Sequence, residues 1–131
     1  MAYQYLRLSR QVRVYDQDPE RVVGVREATS LEETLASRLI LLAIPISSVE
    51  EFCRTHGPRL TAGQIVADTC SVKQRPVEWM LRYLPERVHI LGAHPLFGPD
   101  SGKDGIAGLK IAVCPVRIDV HVYQEDRKSV V

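Results

Sequence analysis

Two segments decide the fold: Gln64-Ile65-Val66-Ala67-Asp68-Thr69-Cys70-Ser71-Val72-Lys73, and Val88-His89-Ile90-Leu91-Gly92-Ala93-His94-Pro95-Leu96-Phe97-Gly98-Pro99-Asp100. Each begins as an apolar run of strand length and ends in polar residues suited to chemistry. Between them Pro76 opens and Pro85 closes an amphipathic segment whose apolar positions are Val77, Met80, Leu81 and Leu84, which predicts a crossover helix. Strand, helix and strand in that order imply parallel pairing and a right-handed crossover. Parallel strands end on one edge of their sheet. Ser71 and His94 are therefore predicted to face one crevice, the place where open α/β sheets bind ligands.

Toward the N-terminus, Leu39-Ile40-Leu41-Leu42-Ala43-Ile44 is apolar without alternation and stops at Pro45, as expected of a strand covered on both faces. Ser47 and Ser48 each precede a glutamate by three residues, so a helix is predicted to begin there. Its inner stripe is Val49, Phe52 and Cys53, and His56-Gly57-Pro58 ends it. Ser30-Leu31-Glu32-Glu33 has capping-box spacing and predicts a short helix to about Ala36. Gln11 to Tyr15 alternates polar and apolar, a strand pattern, and runs into Asp16-Gln17-Asp18-Pro19, where Asp18 fits an N-cap. Val22 to Ala28 fits either a helix weakened by Gly24 or a short strand, and Tyr3 to Ser9 fits the tail of a helix.

Toward the C-terminus, Gly98, Gly102, Gly105 and Gly108 punctuate a loop from Phe97 to Leu109. Leu109 to Cys114 reads as a last strand closed by Pro115, and Val116 to Val131 becomes charged and solvent-exposed. Strands alternating with helices make this an α/β domain with a mainly parallel sheet and helices on both faces.

At 131 residues, 45% apolar and 25% charged, the composition is that of an ordinary globular domain. A formal charge of +1 provides no field to attract nucleic acid, and Arg7, Arg10 and Arg13 are too few to form a basic surface. No apolar run is long enough to span a bilayer, and the first residues carry no apolar signal region, so a cytoplasmic protein is expected. Cys53, Cys70 and Cys114 show no CxxC spacing, which suits reduced thiols. His56, His89 and His121 lack a metal-ligand pattern, so no metal site is expected.

Asp68-Thr69-Cys70-Ser71-Val72-Lys73 followed by Gly92-Ala93-His94-Pro95-Leu96-Phe97-Gly98-Pro99-Asp100-Ser101-Gly102 resembles the signature pair of the prephenate and arogenate dehydrogenases. The resemblance runs from about Val12 to Ile118 and includes Val14-Tyr15-Asp16 and Leu42-Ala43-Ile44-Pro45. The Ser101-to-Gly105 continuation leans toward the plant-type arogenate branch. The resemblance implies a partial, Rossmann-like NAD(P)-binding domain over residues 1–118. Residues 119–131 would be a charged tail at the start of the family's helical dimerisation domain. The family's first strand and G-x-G-x-x-G turn belong before Val12, yet no glycine occurs before Gly24. Gly102-x-x-Gly105-x-x-Gly108 has the wrong spacing and place to substitute. The expected domain therefore lacks that strand and turn, and on this reading the isolated chain binds NAD weakly and turns over prephenate slowly or not at all.

The family's reaction is oxidative decarboxylation in tyrosine biosynthesis. Hydride passes to NAD(P), carbon dioxide leaves, and the ring becomes aromatic. By resemblance His94 accepts the proton of the substrate hydroxyl. Ser71 hydrogen-bonds that hydroxyl or orients His94, making the two the catalytic pair. Lys73 joins them in the substrate site, positioning an anionic ligand or closing the loop. Asp16 occupies the place where dinucleotide folds bind the adenosine ribose, which favours NAD over NADP unless Arg10 or Arg13 offsets it. Ala43, Ile44 and Pro45 would lie beside the nicotinamide ribose.

Each residue also has a structural reading. His94 fits a histidine satisfied at a strand end, Ser71 a cap, Lys73 a surface lysine and Asp16 a turn aspartate. Ala43 to Pro45 fit core and turn. Asp68 is read as a structural carboxylate bonded to nearby backbone amides, and Cys70 as a small core residue. The expected partner is a small molecule, prephenate or arogenate, with no nucleic acid and no membrane. Self-association through an exposed sheet edge is also expected. The competing reading is a non-catalytic remnant that acts as an interaction module or binds dinucleotide weakly.

Overall fold

The computed structural model describes residues 11–98, 100–101, 108–119 and 121–122. The expectations for Tyr3 to Arg10, for Gly102 and Gly105 in the glycine loop and for the end of the tail fall outside these residues. The chain divides into two compact units, Met1–Ser37 and Arg38–Val131.

In the first unit the strand predicted over Gln11 to Tyr15 is reduced to a single parallel bridge between Val14 and Ala28. Val14 N–H donates to Glu27 O at 3.0 Å, and Thr29 N–H donates to Val14 O at 2.9 Å. Two half-buried valines give this stretch too little apolar face for a longer ladder. Asp18 caps as predicted, accepting from Glu20 N at 3.1 Å, and the helix it starts is one 3-10 turn, Pro19–Val22. Ser30 Oγ accepts from Glu33 N at 3.2 Å and opens α1, Leu31–Leu35.

The second unit is an α/β sheet of four strands in the order β1-β2-β3-β4: Leu39–Leu42, Ile65–Asp68, His89–Pro95 and Ile111–Arg117. β1, β2 and β3 are parallel, and β4 pairs antiparallel to β3. Helix α2, Ile46–His56, connects β1 to β2, and α3, Gln74–Tyr83, connects β2 to β3. The helices pack on each other, joined by a hydrogen bond from Tyr83 Oη to Glu50 Oε1 at 3.0 Å.

Strand alternation sorts the core into two layers. Ile40, Val66 and Ile90 share a face with Asp68 and Gly92, and all three are buried, as are Val49, Cys53 and Met80 from the helices. On the other face Ile65, Ala67 and Leu91 form a cluster flanked by Leu39, Leu41, Val113, Ile118 and Val122. Burying each large apolar side chain here contributes about 1.5–3 kcal/mol. Arg117 fastens β4 to the start of β3 by donating to Val88 O, Leu84 O and Pro85 O at 3.1, 3.2 and 2.8 Å.

Three boundaries differ from expectation. α2 begins at Ile46, with Pro45 as N-cap, before the serines expected to start it. β3 continues through His94 to Pro95 because β4 pairs with it there. β4 passes through Pro115, where a register irregularity lets an edge strand accommodate a residue without an N–H.

Candidate functional site

The carboxyl ends of β1, β2 and β3 lie side by side, and the polar residues of the sequence motifs collect there. β2 stops at Asp68, a carboxylate with no solvent exposure at the end of an otherwise apolar strand. Its Oδ2 accepts from Cys70 N at 3.0 Å, so the expected bond to a nearby backbone amide is present. The same oxygen accepts from Lys73 Nζ. That ammonium also donates to Ala93 O at 2.6 Å. Thr69 Oγ1 donates to Leu42 O at 3.1 Å and ties the end of β2 to the end of β1.

These bonds hold the Thr69-to-Lys73 turn against the tip of β3. Ser71 lies exposed in that turn, and His94 is half-buried next to the carbonyl that Lys73 holds. The structure thus brings Ser71, Lys73 and His94 to one edge of the sheet. His94 Nδ1 and Asp68 Oδ1 are buried and have no hydrogen-bond partner among the described residues. Just after β1, Ala43 and Pro45 are exposed and Ile44 is half-buried. α2 starts just after them with no side-chain cap on its amides among the described residues. Asp16 belongs to the first unit, where its Oδ1 accepts from Asp18 N at 2.9 Å and so makes a turn.

Burial, reinforced by the charge of Asp68, pushes the Cys53 thiol up to about 12. Burial and then Asp68 also raise the Cys70 thiol above its ordinary value. These cysteines are held as neutral thiols. The contact that sequence reasoning did not find is the pairing of Asp68 with Lys73. Its signals were a charged residue at the end of an apolar strand, a lysine five residues later, and a glycine at 92 on the neighbouring strand.

The fold and this edge define a Rossmann-like nucleotide-binding α/β domain. The chain belongs to the family described as "Prephenate dehydrogenase, nucleotide-binding domain", whose profile matches residues 7–109. Arogenate dehydrogenase 2, chloroplastic, of Arabidopsis thaliana is 36% identical over 90 residues, which cover 68% of this chain and 25% of that protein. The chain therefore spans about a quarter of the length of that relative. Among solved structures, Synechocystis arogenate dehydrogenase superposes with a TM-score of 0.66 at 22% identity, covering 90% of this chain and 46% of that one. The prephenate dehydrogenase from A. aeolicus, in complex with hydroxyphenyl propionate and NAD+, gives 0.65 at 21%, covering 88% and 45%. These two similarities support the fold.

Proposed function

We propose that this chain is the nucleotide-binding portion of a prephenate- or arogenate-dehydrogenase-type oxidoreductase that performs oxidative decarboxylation with NAD(P). The reading is carried by the placing of Ser71 and His94 on one carboxyl edge, in a member of this family. Ser71 donates to or accepts from the substrate hydroxyl, and His94 takes the proton of that hydroxyl as the carbonyl forms. Because Nδ1 is the buried ring nitrogen, Nε2 is assigned as the acceptor and Nδ1 carries the hydrogen in the neutral ring.

The stretch Ala43 to Pro45, exposed at both ends, and the first turn of α2, which has no side-chain cap among the described residues, fit a dinucleotide's nicotinamide side in chemistry. Asp16, half-buried with one oxygen engaged in its turn, fits a ribose diol and disfavours a 2′-phosphate, so NAD is the assigned cofactor. When bound, the dinucleotide supplies the hydride acceptor. β1 stands at one end of the described strand order, and an outer strand of this kind supports self-association through its edge.

The test is formation of reduced dinucleotide by this chain from prephenate and from arogenate, with NAD and NADP compared. The isolated chain is expected to bind NAD weakly and to turn over slowly at most, and any reduced dinucleotide it forms is abolished by His94→Ala and lowered by Ser71→Ala. Dinucleotide binding without turnover of either substrate would favour the non-catalytic module instead.

A further inference from the structure

Lys73 stands in the turn beside the proposed reacting groups, yet its ammonium is directed onto Asp68 and Ala93 O. Three observations explain why it lies there. Asp68 is fully buried, and a buried carboxylate requires a partner. The β2–β3 ladder ends at the Asp68–Gly92 pair while β3 runs on to Pro95, so Ala93 O lies beyond the last β2 partner. Lys73 supplies the donor there. Gly92 leaves room for the lysine stem: a Cβ at that position would stand 3.1 Å from Lys73 Cδ and 3.3 Å from Cys114 Cβ.

The result is a chain of contacts with Asp68 Oδ2 at its centre. That oxygen holds the Cys70 amide, next to Ser71, and the Lys73 ammonium, which in turn holds the carbonyl preceding His94. Replacing a buried ion pair by apolar residues of similar size is often neutral for stability, so stability alone does not account for one here.

We propose that Asp68 and Lys73 are positioning residues that fix Ser71 relative to His94, so that Lys73 acts inward rather than on the substrate's anionic groups. The inference rests on the reading of Ser71 and His94 as the reacting pair, and its test does not depend on turnover. Amide hydrogen exchange at Cys70 and Ser71, and the NMR signals of the His94 imidazole, are compared in the parent chain, Asp68→Leu/Lys73→Met, Lys73→Arg and Gly92→Ala.

The double variant is expected to fold, to exchange at Cys70 and Ser71 about tenfold faster or more, and to shift the His94 signals. Lys73→Arg, which keeps the charge and reach, restores most of the protection. Parent-like exchange and parent-like His94 signals in a folded double variant overturn the proposal. If that variant does not fold, Gly92→Ala decides, because it displaces the lysine stem and removes neither charge. Faster exchange with shifted His94 signals then supports the proposal, and parent-like behaviour overturns it. A chain that shows this coupling, binds dinucleotide and forms none in reduced form favours the non-catalytic module and leaves the positioning pair standing.

Discussion

The ends of β1 and β2 are neighbours on one sheet edge, yet the chain finishes them in opposite ways. β2 ends in a buried carboxylate that gathers the Cys70 amide and the Lys73 ammonium, and Lys73 ties the turn to β3 through Ala93 O. β1 gives way to Ala43-Ile44-Pro45, exposed at both ends, and then to a helix with no side-chain cap among the described residues. Thr69 Oγ1, bound to Leu42 O, adds a side-chain link to the Leu42–Asp68 pairing of the two ends. The contrast teaches that one edge can serve two needs. On the proposed reading, the groups that react are held by side-chain bonds, whereas the stretch after β1 is held by backbone bonds of its own, Ala43 N to Leu41 O and Ser48 N to Pro45 O.

Removing one member of the pair should have the largest effect. Lys73→Met strands the buried Asp68 carboxylate, and because the lysine side chain is 25% exposed the expected loss is at the lower end for such pairs, about 3 kcal/mol by urea unfolding. Asp68→Leu/Lys73→Met should recover most of that loss.

The next effect is alkaline. Cys53 has a folded value raised to about 12 from 9.0, so the folded state keeps a proton that the unfolded chain releases. Stability is therefore fully present below about 9 and declines as pH rises toward about 12. Urea midpoints measured across that range should fall, and Cys53→Val should flatten the decline.

Thr69→Val cuts the link between the two strand ends and should cost about 1 kcal/mol, with faster exchange in the turn that follows. Pro45→Asp has the smallest effect on stability and the opposite sign. An aspartate there caps α2 and should stabilise the chain by about 0.5–1 kcal/mol while weakening dinucleotide binding through like charge. A titration with NAD alongside thermal unfolding reads both. If affinity is unchanged, the nicotinamide side of the dinucleotide does not lie against the end of β1.

Much of the second unit was legible in the sequence because its apolar runs lacked alternation and were bounded by prolines. That pattern gave β2, β3 and the crossover between them, and it placed Ser71 and His94 on a common edge. The Asp18 and Ser30 caps were legible because each relies on local geometry alone. What escaped depended on partners distant along the chain. The stretch from Gln11 to Tyr15 alternates correctly but makes only one bridge, because alternation cannot tell how much sheet is available to pair with. β3 extends through His94 only because β4 returns beside it, and β4 passes through Pro115 because its position at the edge tolerates a missing donor. The bond from a nearby amide to Asp68 was legible, but its pairing with Lys73 required knowing that Gly92 lies across from it.

The guanidinium of Arg117 grips Val88 O just before β3, and the ammonium of Lys73 grips Ala93 O near its other end. A segment pinned at both termini cannot slide along its neighbours by one step. Such a slide would turn the imidazole at 94 to the opposite side of the sheet, so these two cations together guard the handedness of the cleft.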